Sequence, residues 1–231
     1  MTWTATADPA RFDEAVEWFR QRLPLTDDII EKLGEMVRLR AFRIAGVAQL
    51  DVVQAIYDIL LELLNSGGSL GDFKARAREK LEREWGRSDS FRVETIYRNA
   101  AQHAYNAGRW RQQQHPAIRR HRPYKMFDAV LDGRETDICR KRNKTVLPAD
   151  HPWWETNTPQ LHHRCRSATR MLTPRQAEAR GIATEADLRE LPGAGDGFGA
   201  IPREDDWEPD ASKYSPELWA QFADKQEQMS R

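Results

Sequence analysis

Only two of the 231 residues are cysteine, Cys139 and Cys165. That count excludes a disulfide-stapled scaffold, which relies on several bridges to replace a small core. In a reducing compartment the two are thiols or metal ligands before they are a bridge. Long apolar runs are also missing. The longest, around AIYDILLELL, is broken by Asp58 and Glu62. It falls short of the roughly 20 residues that span a bilayer, so no membrane partner is expected. The opening MTWTATADPARFDEAVEWF has neither the basic nor the apolar stretch of a secretory signal, and cytoplasmic synthesis is the expectation. G-x-S-x-G, the P-loop and H-E-x-x-H do not occur. Their absence removes the common signatures of serine hydrolases, nucleotide hydrolases and zinc proteases. The glycines of PGAGDGFGA fail G-x-G-x-x-G because Phe198 occupies the last glycine position. The carboxylates Asp132, Glu135 and Asp137 crowd one turn rather than forming a catalytic pair, and no catalytic residue is assigned.

Net charge is absent as well, with 36 basic against 36 acidic side chains. The balance is a cancellation. Residues 1–70 carry 7 basic and 11 acidic side chains, and residues 171–231 carry 7 and 13. Between them, residues 109–131 carry 6 and 1. A basic centre between acidic ends suits a phosphate-binding surface, and equally suits pairing within or between chains. Arg109, Arg111, Arg119, Arg120, Arg122 and Lys125 are the candidate contacts to nucleic acid.

What is present first is helical periodicity. Phe12, Ala15, Val16, Phe19 and Leu23 share one face, and Pro24 stops that helix. Ile29, Leu33, Met36, Val37, Ile44 and Val47 continue a stripe. Leu50 through Leu64 form a wide apolar face that ends at Asn65-Ser66-Gly67-Gly68. Phe73, Ala77, Leu81 and Trp85 are spaced by four. A last long helix carries Val93, Ile96, Tyr97, Ala100 and Ala104, with alanines small enough to admit a close neighbour. After Gly108 the periodicity fades. Strands are expected in YKMFDAVLD and near KTVLP. PGAGDGFGAIPREDDWEPD reads as a linker, and a short helix bearing Leu218, Trp219 and Phe222 follows Ser215-Pro216. The expected class is α+β: a mainly helical domain over 1–120, a small loop-rich β-containing module over 121–175, and an acidic tail with short helices over 176–231.

The chemistry-bearing stretch is TPQLHHRCRS, residues 158–167. His162 and Cys165 have two residues between them, a common metal-ligand spacing. With Cys139 they make a candidate zinc site, for which Asp137, His151 or His163 would have to supply the fourth ligand. No other cofactor is expected. The alternative is that the two cysteines are small buried side chains meeting across the module. A nuclease reading lays ADHPWWETNTPQLHHRC over an HNH pattern, with a metal-dependent site around Cys139, His151, His162 and Cys165. Only five residues separate His151 from Asn157, too few for the hairpin that pattern contains.

Taken together, the segments RFDEAVEWFRQRLPL, IYRNAAQHAYNAGRW, PYKMFDAVLDGRETDIC, DHPWW and PQLHHRCRS resemble the phage Mu protein F-like head morphogenesis family, the minor head (minor capsid) proteins. The resemblance covers roughly residues 10–175. It places Asp132, Arg134, Cys139, His162, Cys165 and Arg166 on matching positions, as a structural clasp that closes the small module. The family's closing Cys-Arg-Cys ends in Ser167 here. The resemblance implies a non-enzymatic virion protein at the capsid interior or portal vertex, assembled in the host cytoplasm. Its implied partners are portal, capsid and scaffold proteins, with contact to packaged double-stranded DNA.

Overall fold

The computed structural model describes residues 12–33, 41–44, 47, 49–85 and 90–201, with isolated positions at 216, 219, 220, 223, 224 and 227. The expected stripe through Met36 and Val37 and the tail-helix residues Leu218 and Phe222 lie outside the described residues. The architecture is α+β and mostly helical. Two compact units divide at Tyr97 and Arg98.

In the first unit, α1 (Asp13–Arg20) buries Ala15, Val16, Trp18 and Phe19. A two-residue strand β1 (Leu23–Pro24) pairs in parallel with β2 (Ala41–Phe42). Between them α2 (Asp27–Leu33) starts on Asp27 and Asp28, where the helix dipole favours negative charge. The centre of this unit is α3 (Leu50–Ser66), which buries Val53, Ile56, Tyr57, Ile59, Leu60 and Leu63. Its tyrosine ring stacks on Phe19 with centroids 5.0 Å apart, and its hydroxyl donates to the Arg20 carbonyl at 2.8 Å. A left-handed Gly67 (φ 70°) stops the helix, as the Asn-Ser-Gly-Gly stretch predicts. Then α4 (Leu70–Trp85) lays Phe73, Ala77 and Leu81 inward, each fully buried.

The long helix α5 (Ser90–Gln114) follows. From Arg98 onward it belongs with the second unit. The 1–120 grouping read from periodicity therefore differs from the grouping by contact, and the reason is side-chain chemistry on α5 described below. The short helix α6 (Pro116–His121) leads into a three-stranded antiparallel sheet. Strand β3 (Tyr124–Asp128) is central, flanked by β4 (Val146–Pro148) and β5 (Ala168–Leu172). Both expected strands are present, shorter than their apolar runs. Strand β5 was not anticipated, since ATRML does not alternate cleanly.

Alternation along β3 sorts the core into two faces. Phe127 points to a cluster of Cys139, Leu147, Trp154, Leu161, Cys165 and Leu188. Met126 points the other way, to Val146, Leu172 and Ala177. Lys125 lies two residues before Phe127 and opposite Leu147, so it shares the Trp154 face. Four short helices complete the unit: α7 (Asp137–Arg142), α8 (Trp154–Asn157), α9 (Pro174–Glu178) and α10 (Glu185–Arg189). Thr173 and Thr184 form capping boxes with Gln176 and Asp187.

The glycine-rich stretch read as a linker is not loose where it is described. Gly195 N–H donates to the Leu161 carbonyl at 2.9 Å, and Gly199 N–H donates to the Gln160 carbonyl at 2.8 Å. Thr158 N–H returns a bond to the Gly199 carbonyl at 2.9 Å. Gly199 has φ 89°, and a Cβ there would collide with the Thr156 carbonyl oxygen. The glycine is required by close backbone approach, a cause that composition alone does not separate from flexibility.

Candidate functional site

Two short segments meet beside the core. The first is the start of α7, where the Thr136 hydroxyl accepts the Cys139 N–H and caps the helix. The second is the turn from His162 to Cys165. Cys165 N–H donates to the His162 carbonyl at 3.2 Å, and Arg164 takes the left-handed conformation with φ 59°. Asn99 on α5 holds that residue through its side-chain oxygen, 2.7 Å from the Arg164 nitrogen. The turn aims both ligand-type side chains at Cys139. Its sulfur is 3.7 Å from the Cys165 sulfur and 3.1 Å from His162 Nε2. All three ligand atoms lie within 4.8 Å of one another. Both cysteines are buried and unbridged.

The histidine tautomer follows from its partners. His162 Nδ1 is 2.8 Å from the His163 carbonyl oxygen, which only accepts, so Nδ1 carries the proton. In the neutral ring Nε2 then presents its lone pair to the Cys139 sulfur and to the Thr136 hydroxyl, 2.9 Å away. The bond from Cys139 holds the Cys165 thiol well below the usual thiol range, with His162 acting in the same direction against burial. Cys139 is pushed up by the same bond and by burial. Hydrogen bonding to Cys165 raises the His162 pKa. The group is thus organised to hold one negative charge at Cys165 beside a proton-accepting ring.

Around it sits an ion-pair clasp. Arg166 donates from both terminal nitrogens to Asp132, at 2.6 and 2.7 Å. These bonds hold the Asp132 carboxyl far below the usual carboxylate range. Arg134 contributes its backbone N–H to Asp132 at 3.1 Å rather than a guanidinium fork. Glu135 accepts the Gly133 N–H at 2.8 Å and the Arg140 Nε at 2.9 Å, so the carboxylates of this turn are occupied in shaping it.

The other residues read from the sequence lie elsewhere. His151 faces Glu185 at 3.3 Å and accepts the Trp153 N–H, and it does not join the three-residue group. The four-residue set for a nuclease is therefore not brought together. His163 bonds Asn99 at 2.9 Å and packs edge-on against Phe198, and Asp137 pairs with Arg140 at 2.7 Å. Neither joins the group as a fourth ligand. Of the basic set, Arg120 and Arg122 are exposed and Arg111 and Arg119 half-buried. Arg109 is drawn onto the Thr169 carbonyl and the Tyr105 hydroxyl. Lys125 is 2% exposed, with its ammonium over the Trp154 ring, and is corrected from a phosphate contact to a core residue.

One architectural feature escaped the sequence reading. Asn99, Gln102, Asn106, Arg109 and Gln113 recur on α5 at i, i+3, i+7, i+10 and i+14, one helix face. Gln102 and Asn106 both donate to the Ser167 carbonyl at 3.1 Å. Gln113 donates to the Thr169 carbonyl at 3.2 Å and accepts the Thr169 hydroxyl at 3.1 Å. This amide face holds the backbone of the Cys165–Thr169 segment, and the buried Ala100, Ala104 and Ala107 admit the close approach. Uncharged amides at heptad-like spacing beside alanines are the signal that could have found it. Arg142, 1% exposed, was missed too: it donates from Nε and Nη2 to Asn157 Oδ1, at 3.1 and 2.8 Å, and to the Pro192 carbonyl.

The fold class is a mostly helical α+β chain whose small sheet module is closed by Cys/His contacts and an Asp–Arg clasp. No helix among the described residues is long and apolar enough to cross a membrane. The chain belongs to the phage Mu protein F-like family, whose profile matches residues 54–170, from α3 to the middle of β5. Protein F of Escherichia phage Mu, named for capsid assembly, is 26% identical over 187 residues. That alignment covers 73% of this chain and 42% of the phage Mu protein, so the chain spans less than half of that relative's length. No solved structure matches.

Proposed function

We propose that this chain acts in phage head morphogenesis, as a minor head protein rather than an enzyme. The observation that carries the reading is the family match, which runs continuously through both units and takes in every residue of the clasp. Its named relative, protein F of phage Mu, is a capsid assembly protein by name. On this reading the clasp and the amide face keep a static module in shape, and the exposed surface meets portal, capsid or scaffold proteins inside the virion. Affinity-tagged portal protein from the same phage genome, co-expressed with this chain, should retain it through purification, and heads made without it should be defective or unfilled. Normal DNA-filled heads from a deletion, together with no retention by portal or procapsids, would reject the role.

Contact with packaged DNA is the finer part of the reading, supported by the solvent-facing Arg120 and Arg122 and by Arg119 on α6. No acidic residue interrupts the sequence from Arg109 to Met126. Neutralising each phosphate releases counterions, so log affinity should fall with log salt by about 0.9 per contact. Charge reversal at Arg119 and Arg120 should flatten that slope by about 2, one increment per lost contact. A slope that the double variant leaves unchanged counts against DNA contact at α6.

A further inference from the structure

We infer that Cys139, His162 and Cys165 form a zinc site, with the Ser167 hydroxyl at its fourth vertex. Head assembly and metal binding are independent here, and either can stand without the other. Four facts of geometry carry the inference. First, tetrahedral zinc with Zn–S of about 2.3 Å separates two sulfurs by about 3.8 Å. The sulfurs of Cys139 and Cys165 are 3.7 Å apart, so this edge needs no rearrangement. Second, His162 Nε2 sits 3.1 Å from the Cys139 sulfur, and a small opening toward the sulfur–nitrogen edge of about 3.5 Å places it on the third vertex.

Third, the ring is already in the ligand tautomer. Metal-bound imidazoles commonly donate their other N–H to a carbonyl, which fixes the ring and raises the basicity of the ligating nitrogen. The His163 carbonyl accepts from Nδ1 in this way. Fourth, hydrogen-bond donors already surround both sulfurs. Backbone hydrogen bonds from the Leu161 and Ser167 segments reach Cys165, and the hydroxyls of Ser167 and Thr136 reach Cys139. Ser167 is 2% exposed and its hydroxyl reaches Cys139; the Thr136 hydroxyl is already engaged in capping α7, which leaves Ser167 for the fourth vertex.

Ligand softness selects the metal. Two thiolates and an imidazole in a closed tetrahedral arrangement suit Zn²⁺ and exclude the hard cations that prefer oxygen. Two thiolates also neutralise the dication, so the filled site adds no net charge to the core. The site would be structural, tying α7 to the turn that precedes β5. Zinc takes both sulfurs as thiolates, so binding releases protons and affinity rises with pH.

The full chain, purified under reducing conditions, should carry about one zinc per molecule by elemental analysis. Exchange into cobalt should give thiolate-to-cobalt charge-transfer absorption with the intense visible bands of a tetrahedral ion. Cys165→Ser should lose both. Because that variant risks misfolding, Ser167→Cys supplies the second arm. It converts the fourth vertex to a thiolate and should tighten zinc by about 10-fold or more, since even outer partners of ligands are worth 10- to 100-fold. A folded wild-type chain without the cobalt–thiolate absorption overturns the site. Equal zinc affinity in wild type and Ser167→Cys overturns the assignment of residue 167 to the fourth vertex.

Discussion

Trp154→Ala should unfold the sheet-containing unit under conditions where the wild type is intact. Trp154 is 1% exposed and is the largest fully buried side chain described. Its ring meets Trp153 edge-on at 4.9 Å, and its indole N–H donates to the Pro148 carbonyl at 3.0 Å at the end of β4. It also sits under the Lys125 ammonium, 5.2 Å from the ring centroid. Truncation to alanine leaves a cavity among Phe127, Leu147 and Leu161, a Pro148 carbonyl that keeps only the His151 N–H, and a buried cation without its aromatic face. Truncations of this kind cost about 3–5 kcal/mol, and a domain commonly has only about 5–15 kcal/mol in total. Trp154→Phe keeps most of the volume and loses the N–H bond, so its cost should be nearer 1–2 kcal/mol. Urea unfolding followed by near-UV circular dichroism reads both. An alanine variant with an unchanged midpoint would mean that the Trp154 face is not the core.

The difference between what the sequence disclosed and what it hid follows the kind of interaction involved. Helices α1, α3 and α4 were legible because each has an apolar stripe whose middle is buried, although Trp18 is buried outside the α1 stripe and Phe12, Leu64 and Trp85 are only half-buried. The meeting of Cys139 with His162 and Cys165 was legible from residue type as a metal site or a pair of buried thiols, whereas Asp132 and Arg166 were placed in one clasp only by family resemblance. These partners lie 23 or more positions apart in the chain, and nothing local specifies the approach. Helix α7 was hidden because D-I-C-R-K-R has one and a half turns and too few apolar positions for a periodicity. It exists because Thr136 caps it and Arg142 anchors its end. Strand β5 was hidden because its backbone is specified from outside, by amides on α5. Polar residues that bond a neighbouring backbone look, in a sequence, like polar residues that face water.

The same difficulty explains Lys125, and it leads to a prediction with an unusual sign. A lysine within a run of basic residues reads as surface charge. Strand alternation instead places it with Phe127, and burial pushes its pKa down to about 8, with Arg119 adding to the shift. Unfolded, the same ammonium would titrate near 10.5. Below pH 8 both states are protonated and the folded state bears the full desolvation cost. Between about pH 8 and 10.5 the unfolded chain binds more protons, so folding stability rises with pH in that window. At about 1.36 kcal/mol per pKa unit, the gain on completing the window is about 3 kcal/mol. Lys125→Met keeps an unbranched chain of similar length against Trp154 and removes the charge, giving up a cation–π contact worth about 2 kcal/mol where it is desolvated. It should therefore stabilise the sheet-containing unit at pH 7 by about 1 kcal/mol, the desolvation cost less that contact. Urea midpoints measured at pH 7, 8, 9 and 10 for both chains separate this lysine from other groups that titrate there, because those groups are common to the two. The variant's advantage should shrink as pH rises and be gone by pH 10. A constant advantage at every pH would show that packing alone, and not a buried charge, distinguishes methionine from lysine at this position.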